Sequence, residues 1–161
     1  MEPVVVILMG SRSDMEHAKQ IGAGLEKLSV SYELRIGSAH KTPAHVLDIL
    51  SAYEADPRPK VYVTIAGRSN ALSGFVDAQV TAPVIACPPP SNTFGGADIY
   101  SSLRMPGGVA PAVVLEPATA ALLAAKILGV GNAAIRERIE ALQRENAETI
   151  VSDDAGLREK A

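Results

Sequence analysis

A chain of 161 residues with 47% hydrophobic content is long enough for one compact domain with a real core and too short for two ordinary ones. Its 15 basic and 18 acidic residues leave a net charge of −3 and are interspersed, with no basic face of the kind that nucleic acid or an anionic membrane needs, so neither is expected as a partner. No stretch approaches the ~20 apolar residues of a membrane span, the start "MEPVVVILMGSRSD" has neither a basic leader nor a cleavage site, and a single Cys87 excludes an intrachain disulfide framework and suits a reducing cytoplasm.

The first element is the continuous apolar run "VVVILM" (4–9). A run without alternation marks a parallel strand covered on both faces. After Asp14 the spacing of Ala18, Ile21, Leu25 and Leu28 predicts a helix, and "YELRI" (32–36) reads as a weaker strand. Thr42 and Pro43 predict a second helix start, with Thr42 at the N-cap and proline at the first helical position, and Val46, Leu50 and Tyr53 form its apolar stripe. Three more apolar runs follow, "VYVTIA" (61–66), "PVIAC" (83–87) and "AVVLE" (112–116). The alternation of strand and helix predicts an α/β fold of three layers: a five-stranded, doubly wound parallel sheet of flavodoxin-like or Rossmann-like type, with its core over residues 4–128.

Seven of the eleven prolines fall between Pro83 and Pro117, where "CPPPSNTFGGADIYSSLRMPGGVAP" breaks the rhythm. Excursions of that length in a compact domain are functional or contact a neighbour. Beyond Gly129-Val130-Gly131 a last helix is predicted over about 132–150, with Ile135, Ile139, Leu142 and Ile150 on one side and Arg136, Glu137, Arg144 and Glu145 on the other. It either closes its own sheet or packs on another subunit.

In a parallel sheet the segments that follow the strands share one edge, and doubly wound folds bind ligands there. Those segments are "GSRSD" (10–14), "GSAHKTP" (37–43), "GRSNALSG" (67–74) and "PPPSNTFGG" (88–96). The first three each set glycine and serine at a helix N-terminus, where unpaired N–H groups, the helix dipole and hydroxyls favour an anion such as phosphate. Taken singly, Ser11, Ser13 and Asp14 read as caps. Together with Lys41, Arg68 and His40, and with Asp14 as the one opposing carboxylate, they predict a site for a nucleoside monophosphate whose ribose hydroxyls Asp14 would accept.

His17 is expected on the solvated side of the first helix, and His45 likewise on the second. His40 differs, because it precedes its helix among small residues that leave room for a ligand, and imidazole titrates near neutral pH. From the residues alone it is either a proton-transfer group or a loop imidazole bonded to backbone. The histidines and Cys87 show no zinc-like spacing, so no metal is expected, and Cys87 reads as a small buried hydrophobe. There is no G-x-x-x-x-G-K-[ST] loop, no G-x-G-x-x-G after the first strand and no G-x-S-x-G elbow, so ATP, NAD and a serine nucleophile are not indicated. No cofactor is expected.

The motifs "GSRSD" (10–14), "SAHKTP" (38–43), "AGRSN" (66–70), "ACPPPS" (86–91) and "SSLRMPGG" (101–108) closely resemble the phosphoribosylaminoimidazole carboxylase family of purine biosynthesis, from Val4 to about Leu128. One branch of that family, a mutase, rearranges a carboxyamino isomer and carries a Gly-Gly-Ala-Ala-His-like run after the third strand. The "GRSNALSG" here resembles the branch that uses carbon dioxide directly. The resemblance implies that Ser11, Ser38 and Lys41 hold the phosphate end of the substrate and Asp14 the ribose, that Gly67, Arg68 and Ser69 line the space for carbon dioxide, and that His40 is the general acid-base. Gly10, Ser13, Ala39, Met105 and Pro106 are further candidates. It also implies a homo-oligomer, an octamer, whose sites a neighbour completes, with the 88–108 loop as a candidate contributor. A mutase and a non-catalytic nucleotide-binding module are the alternatives.

Overall fold

In the computed structural model, which describes residues 1–158, the run Val4–Met9 forms an interior strand, β1, and all six of its side chains are buried. Alternation across the strand sends Val5, Ile7 and Met9 to one face of the sheet and Val4, Val6 and Leu8 to the other. Each face must therefore be covered, which is why no polar residue interrupts the run. The first face is covered by α1 (Met15–Lys27) and α5 (Pro117–Gly129), through Ile21, Leu25, Ala121 and Ala125. The second is covered by α2 (Pro43–Glu54) and α3 (Ala71–Asp77), through Val46, Leu50, Leu72 and Val76. These are the three layers expected.

The sheet has five parallel strands in the order β2-β1-β3-β4-β5, with β2 at Ser31–Ile36, β3 at Lys60–Ile65, β4 at Val84–Ala86 and β5 at Ala112–Val113. β2 is an edge strand with only partial burial, which accounts for its weak apolar signal. β5 is shorter than the run 112–116 suggests: after the Val114 N–H bonds the Ala86 carbonyl at 2.9 Å, Glu116 becomes the N-cap of α5 and Pro117 its first residue. Register matters most for the site. Met9 lies beside Ile36 on one side and Ile65 on the other, so β1, β2 and β3 end level and the loops that follow them emerge at one height.

The segment 88–108 contains tight turns over Phe94–Ile99, where Gly95 and Gly96 take φ of 61° and 76°, then the single helical turn α4 (Tyr100–Leu103). The last helix, α6, spans Ala133–Arg158 and so runs on past the expected 150. Its first turns pack on α5 through Ile135 and Ile139, with Leu142 beside them. Beyond them Ile150, Val151 and Leu157 are about seven-tenths exposed. No helix among the described residues is long and apolar enough to cross a membrane.

Candidate active site

The strand order reverses between β1 and β3, and a crevice opens at the carboxyl ends of strands at such a switch point. Here it is a cavity of about 540 Å³ bordered by all four predicted loops.

From the loop after β1 come Gly10, Ser11, Ser13 and Asp14. Ser11 starts a single 3₁₀ turn, Arg12–Asp14, by accepting the Ser13 N–H at 3.0 Å, and its hydroxyl lies 2.6 Å from that of Ser13. The hydroxyls are thus held together at the mouth of α1. Asp14 begins α1 half-buried, and burial pushes its carboxyl above the ordinary range, against hydrogen bonding from Ser11 and Ser13 and the nearby His17.

From the loop after β2 come Ser38, Ala39, His40 and Lys41. Gly37 is required where this loop leaves the sheet, since a Cβ there would lie 2.8 Å from Val46 Cγ2. Ser38 and Thr42 then close a turn: the Ser38 N–H donates to Thr42 Oγ1 at 3.0 Å, the Thr42 N–H to the Ser38 carbonyl at 2.9 Å, and the Lys41 N–H to Ser38 Oγ at 3.2 Å. His40 and Lys41 occupy the tip, both exposed at the rim of the cavity. Thr42 is the N-cap residue of α2, yet its side chain makes no cap bond and serves the turn instead. His45 is exposed on α2, as expected.

From the loop after β3 come Gly67, Arg68 and Ser69, and from that after β4 Pro89, Pro90 and Ser91. Gly67 faces Pro89 closely, with Cγ 3.3 Å from where a Cβ would be. Arg68 takes φ of 60°, and its N–H donates to Asp98 Oδ2 at 3.1 Å. Asp98 also lines the cavity. The expectation that Asp14 is the only carboxylate at this edge is therefore corrected: Asp98 arrives from the turn before α4, thirty residues away from Arg68 in sequence. Its only sequence signal is an acidic residue ahead of a short helix.

Eleven of the expected site residues meet at this cavity, and Met105 and Pro106 do not line it. Met105 instead packs on α3, with its sulfur 2.9 Å from the position of a Cβ on Gly74. His17 is a second correction. It is half-buried rather than solvated, with Nε2 3.4 Å from Cys87 Sγ, because Asp14 and His17 lie three residues apart on one helix face that turns toward the end of β4. Burial holds its imidazole below the usual histidine range, against the pull of Cys87, Asp14 and Glu116. Cys87 is fully buried, and its thiol is pushed up to about 12 by burial with Glu116 adding to it, so it is no nucleophile at neutral pH. His17 borders a second cavity, of about 600 Å³, with Gln20, Leu115 and Glu116 on the far side of the proline run. No cluster of three or more metal-ligating side chains is present among the described residues.

The family model described as AIR carboxylase matches residues 4–149. A Treponema denticola protein named phosphoribosylaminoimidazole carboxylase is 56% identical over 158 residues, covering 98% of this chain and 99% of that protein. One of the same name from Archaeoglobus fulgidus is 50% identical over 153 residues, covering 95% and 84%. The crystal structure of Treponema denticola PurE superposes with a TM-score of 0.95 at 57% identity, covering 96% of this chain and 98% of that one.

Proposed function

This chain belongs to the AIR carboxylase family, and we propose that, as a carboxy-lyase of purine biosynthesis, it joins carbon dioxide directly to C4 of 5-aminoimidazole ribonucleotide. The observation that carries this reading is the meeting at one cavity of the His40 turn, the serine pair after β1 and the Gly67–Ser69 loop. Ser11, Ser38 and Lys41 receive the phosphate, and Asp14 accepts ribose hydroxyls. Gly67, Arg68 and Ser69 border the space for carbon dioxide.

The aminoimidazole is enamine-like, so C4 attacks the carbon of carbon dioxide without ATP, biotin or metal. The new C–C bond forms as one C=O bond opens onto oxygen. C4 then carries both hydrogen and carboxylate. His40 takes that proton and the C–H electrons return to the ring, a contribution typically worth ~10²–10⁴ in rate. Returning the proton reverses the reaction. Holding a small uncharged gas against the ring supplies much of the remainder. The exposed position of His40 at the rim suits a base that must exchange its proton with solvent after each turnover.

Purified protein given the aminoimidazole ribonucleotide with bicarbonate should form the carboxylated imidazole, followed by its ultraviolet absorbance. Product from the carboxyamino isomer alone would assign the mutase reaction instead. His40→Asn should abolish turnover with nucleotide binding largely intact. Full turnover in that variant would remove His40 from the chemistry, and absence of turnover in the parent chain would favour a binding module.

We also infer a homo-oligomer, an octamer, acting in the cytoplasm. Support comes from apolar surface that a lone chain leaves in water: Phe94, Tyr100 and Leu103 in the 88–108 segment, and Ile150, Val151 and Leu157 on α6. Light scattering at working concentration tests it, and a monomer would refute it.

A further inference from the structure

Arg68 sits in the left-handed region with φ of 60°, where a residue with a Cβ is strained and stays only if its surroundings hold it. Both of its backbone polar groups are held by one segment. Its N–H donates to Asp98 Oδ2 at 3.1 Å, and its carbonyl lies 3.1 Å from Ser101 Oγ, a hydroxyl it shares with the Asp98 carbonyl at 2.8 Å. The Asn70 N–H donates to the same Ser101 Oγ at 3.0 Å, and Asn70 Nδ2 to Ser102 Oγ at 2.9 Å. Asn70 Oδ1 in turn accepts from the Ser73 N–H and hydroxyl, which caps α3. Asn70, Ser73 and Ser102 are buried, so this end of the clamp is shielded from competing water.

Asp98 is the one charged member of the clamp. It lies in the turn just before α4, one residue ahead of the Ile99 cap, and its side chain bonds Arg68. Three ion pairs are formed among the described residues, and Asp98 belongs to none of them. Its carboxylate therefore answers to a backbone N–H at the wall of the cavity.

We propose that Asp98 is a positioning residue for carboxylation: by gripping the Arg68 N–H it keeps the Gly67–Ser69 turn in the one shape that receives carbon dioxide and the product carboxylate. This rests on the reading of that turn given above. In this role Asp98 acts through the turn and not on the reacting atoms.

Asp98→Ala removes the acceptor, whereas Asp98→Asn keeps an oxygen in its place. With nucleotide saturating and carbon dioxide varied, Asp98→Ala should lose about 10- to 100-fold in kcat/KM for carbon dioxide, the scale of a ~1 Å misplacement. Nucleotide affinity, measured by calorimetry, should stay within about two-fold because the phosphate loops are untouched, and Asp98→Asn should recover to within about three-fold of the parent. Unchanged kcat/KM for carbon dioxide in Asp98→Ala overturns the proposal, as does an Asp98→Asn variant equally impaired, or nucleotide affinity falling in step. If Asp98→Ala does not melt like the parent, Asp98→Ser carries the same test, since its shorter side chain cannot reach the Arg68 N–H. His40→Asn is assayed alongside. An inactive His40→Asn beside an unaffected Asp98→Ala sinks the role of Asp98 alone, while a fully active His40→Asn sinks the reading beneath it.

Discussion

Ser38 and Thr42 bind each other in both directions, the N–H of Ser38 on the Thr42 hydroxyl at 3.0 Å and the N–H of Thr42 on the Ser38 carbonyl at 2.9 Å. The three residues between them include His40 and Lys41, so this small closed turn sets where the proposed base and the proposed phosphate-binding cation stand. Thr42→Val keeps the shape and removes the acceptor. Loss of that bond should cost about 1 kcal/mol, a Tm drop of roughly 2–4 °C for a chain of this size. The larger effect should fall on turnover, about ten-fold in kcat, as His40 gains freedom. Thr42→Ser should restore both, and a Thr42→Val enzyme with undiminished kcat would mean that other contacts hold the turn.

Acid should weaken the contact between α1 and the end of β4. Burial places the folded pKa of His17 below its ordinary 6.5, so its contribution to stability is present above pH 6.5 and is lost as pH falls through the folded value. The Cys87 thiol stays protonated and lies 3.4 Å from Nε2 of the imidazole. Protonation would put a charge on a half-buried ring, which its burial opposes. A hydrogen bond to the Cys87 backbone, then the Asp14 and Glu116 carboxylates, partly offset this. Thermal melts at pH 7.5 and 5.5 should show a fall in Tm that His17→Gln reduces. An equal fall in the variant would place the acid sensitivity elsewhere.

What could be read from the chain follows from how local each signal is. β1 and β3 declare themselves because strands covered on both faces tolerate no polar residue, and the level ends of β1, β2 and β3 then bring the Gly-Ser loops to one edge. His40 was legible as a ring among small residues. Asp98 was not, since its partner is a backbone N–H thirty positions away, and neither the strained φ of Arg68 nor the clamp around it leaves a mark in composition. His17 was misread because helical spacing names the face a residue shares but not what that face meets. The side chain of Thr42, expected at a helix cap, serves the preceding turn for a related reason: the same hydroxyl can satisfy either, and the Ser38 N–H had no other partner in the turn.

Asp14 sets its proposed binding role against stability. Its folded pKa is raised by burial, so ionisation at neutral pH destabilises the fold, an effect absent below the ordinary value of 3.8 and complete once pH exceeds the folded value. Asp14→Asn should therefore raise Tm at pH 7 and leave it unchanged at the lowest pH. The same variant should bind the ribonucleotide about ten-fold or more weakly, since hydrogen bonds to a charged acceptor are the stronger kind. Tm measured against pH and calorimetric titration with nucleotide check the two halves separately. A variant that gains no stability at pH 7 would show that hydrogen bonds from Ser11 and Ser13 outweigh burial.

Gly24→Ala pits helix propensity against packing. Alanine in a helix interior is favoured over glycine by ~1 kcal/mol, which alone would stabilise α1. A Cβ at position 24, however, would lie 2.7 Å from Ala121 Cβ and 3.5 Å from Ala118 Cα on α5. Neither atom can rotate aside, because each is fixed to the backbone. The two helices must separate, and overpacking of this kind costs about 1–3 kcal/mol. Packing should win by about 1 kcal/mol, lowering Tm by roughly 2–4 °C. The double variant Gly24→Ala with Ala121→Gly returns the methyl to the other helix and should recover most of that loss. A Tm raised by Gly24→Ala alone would mean that α5 moves away freely, and that the small residues at this crossing do not set the helix spacing.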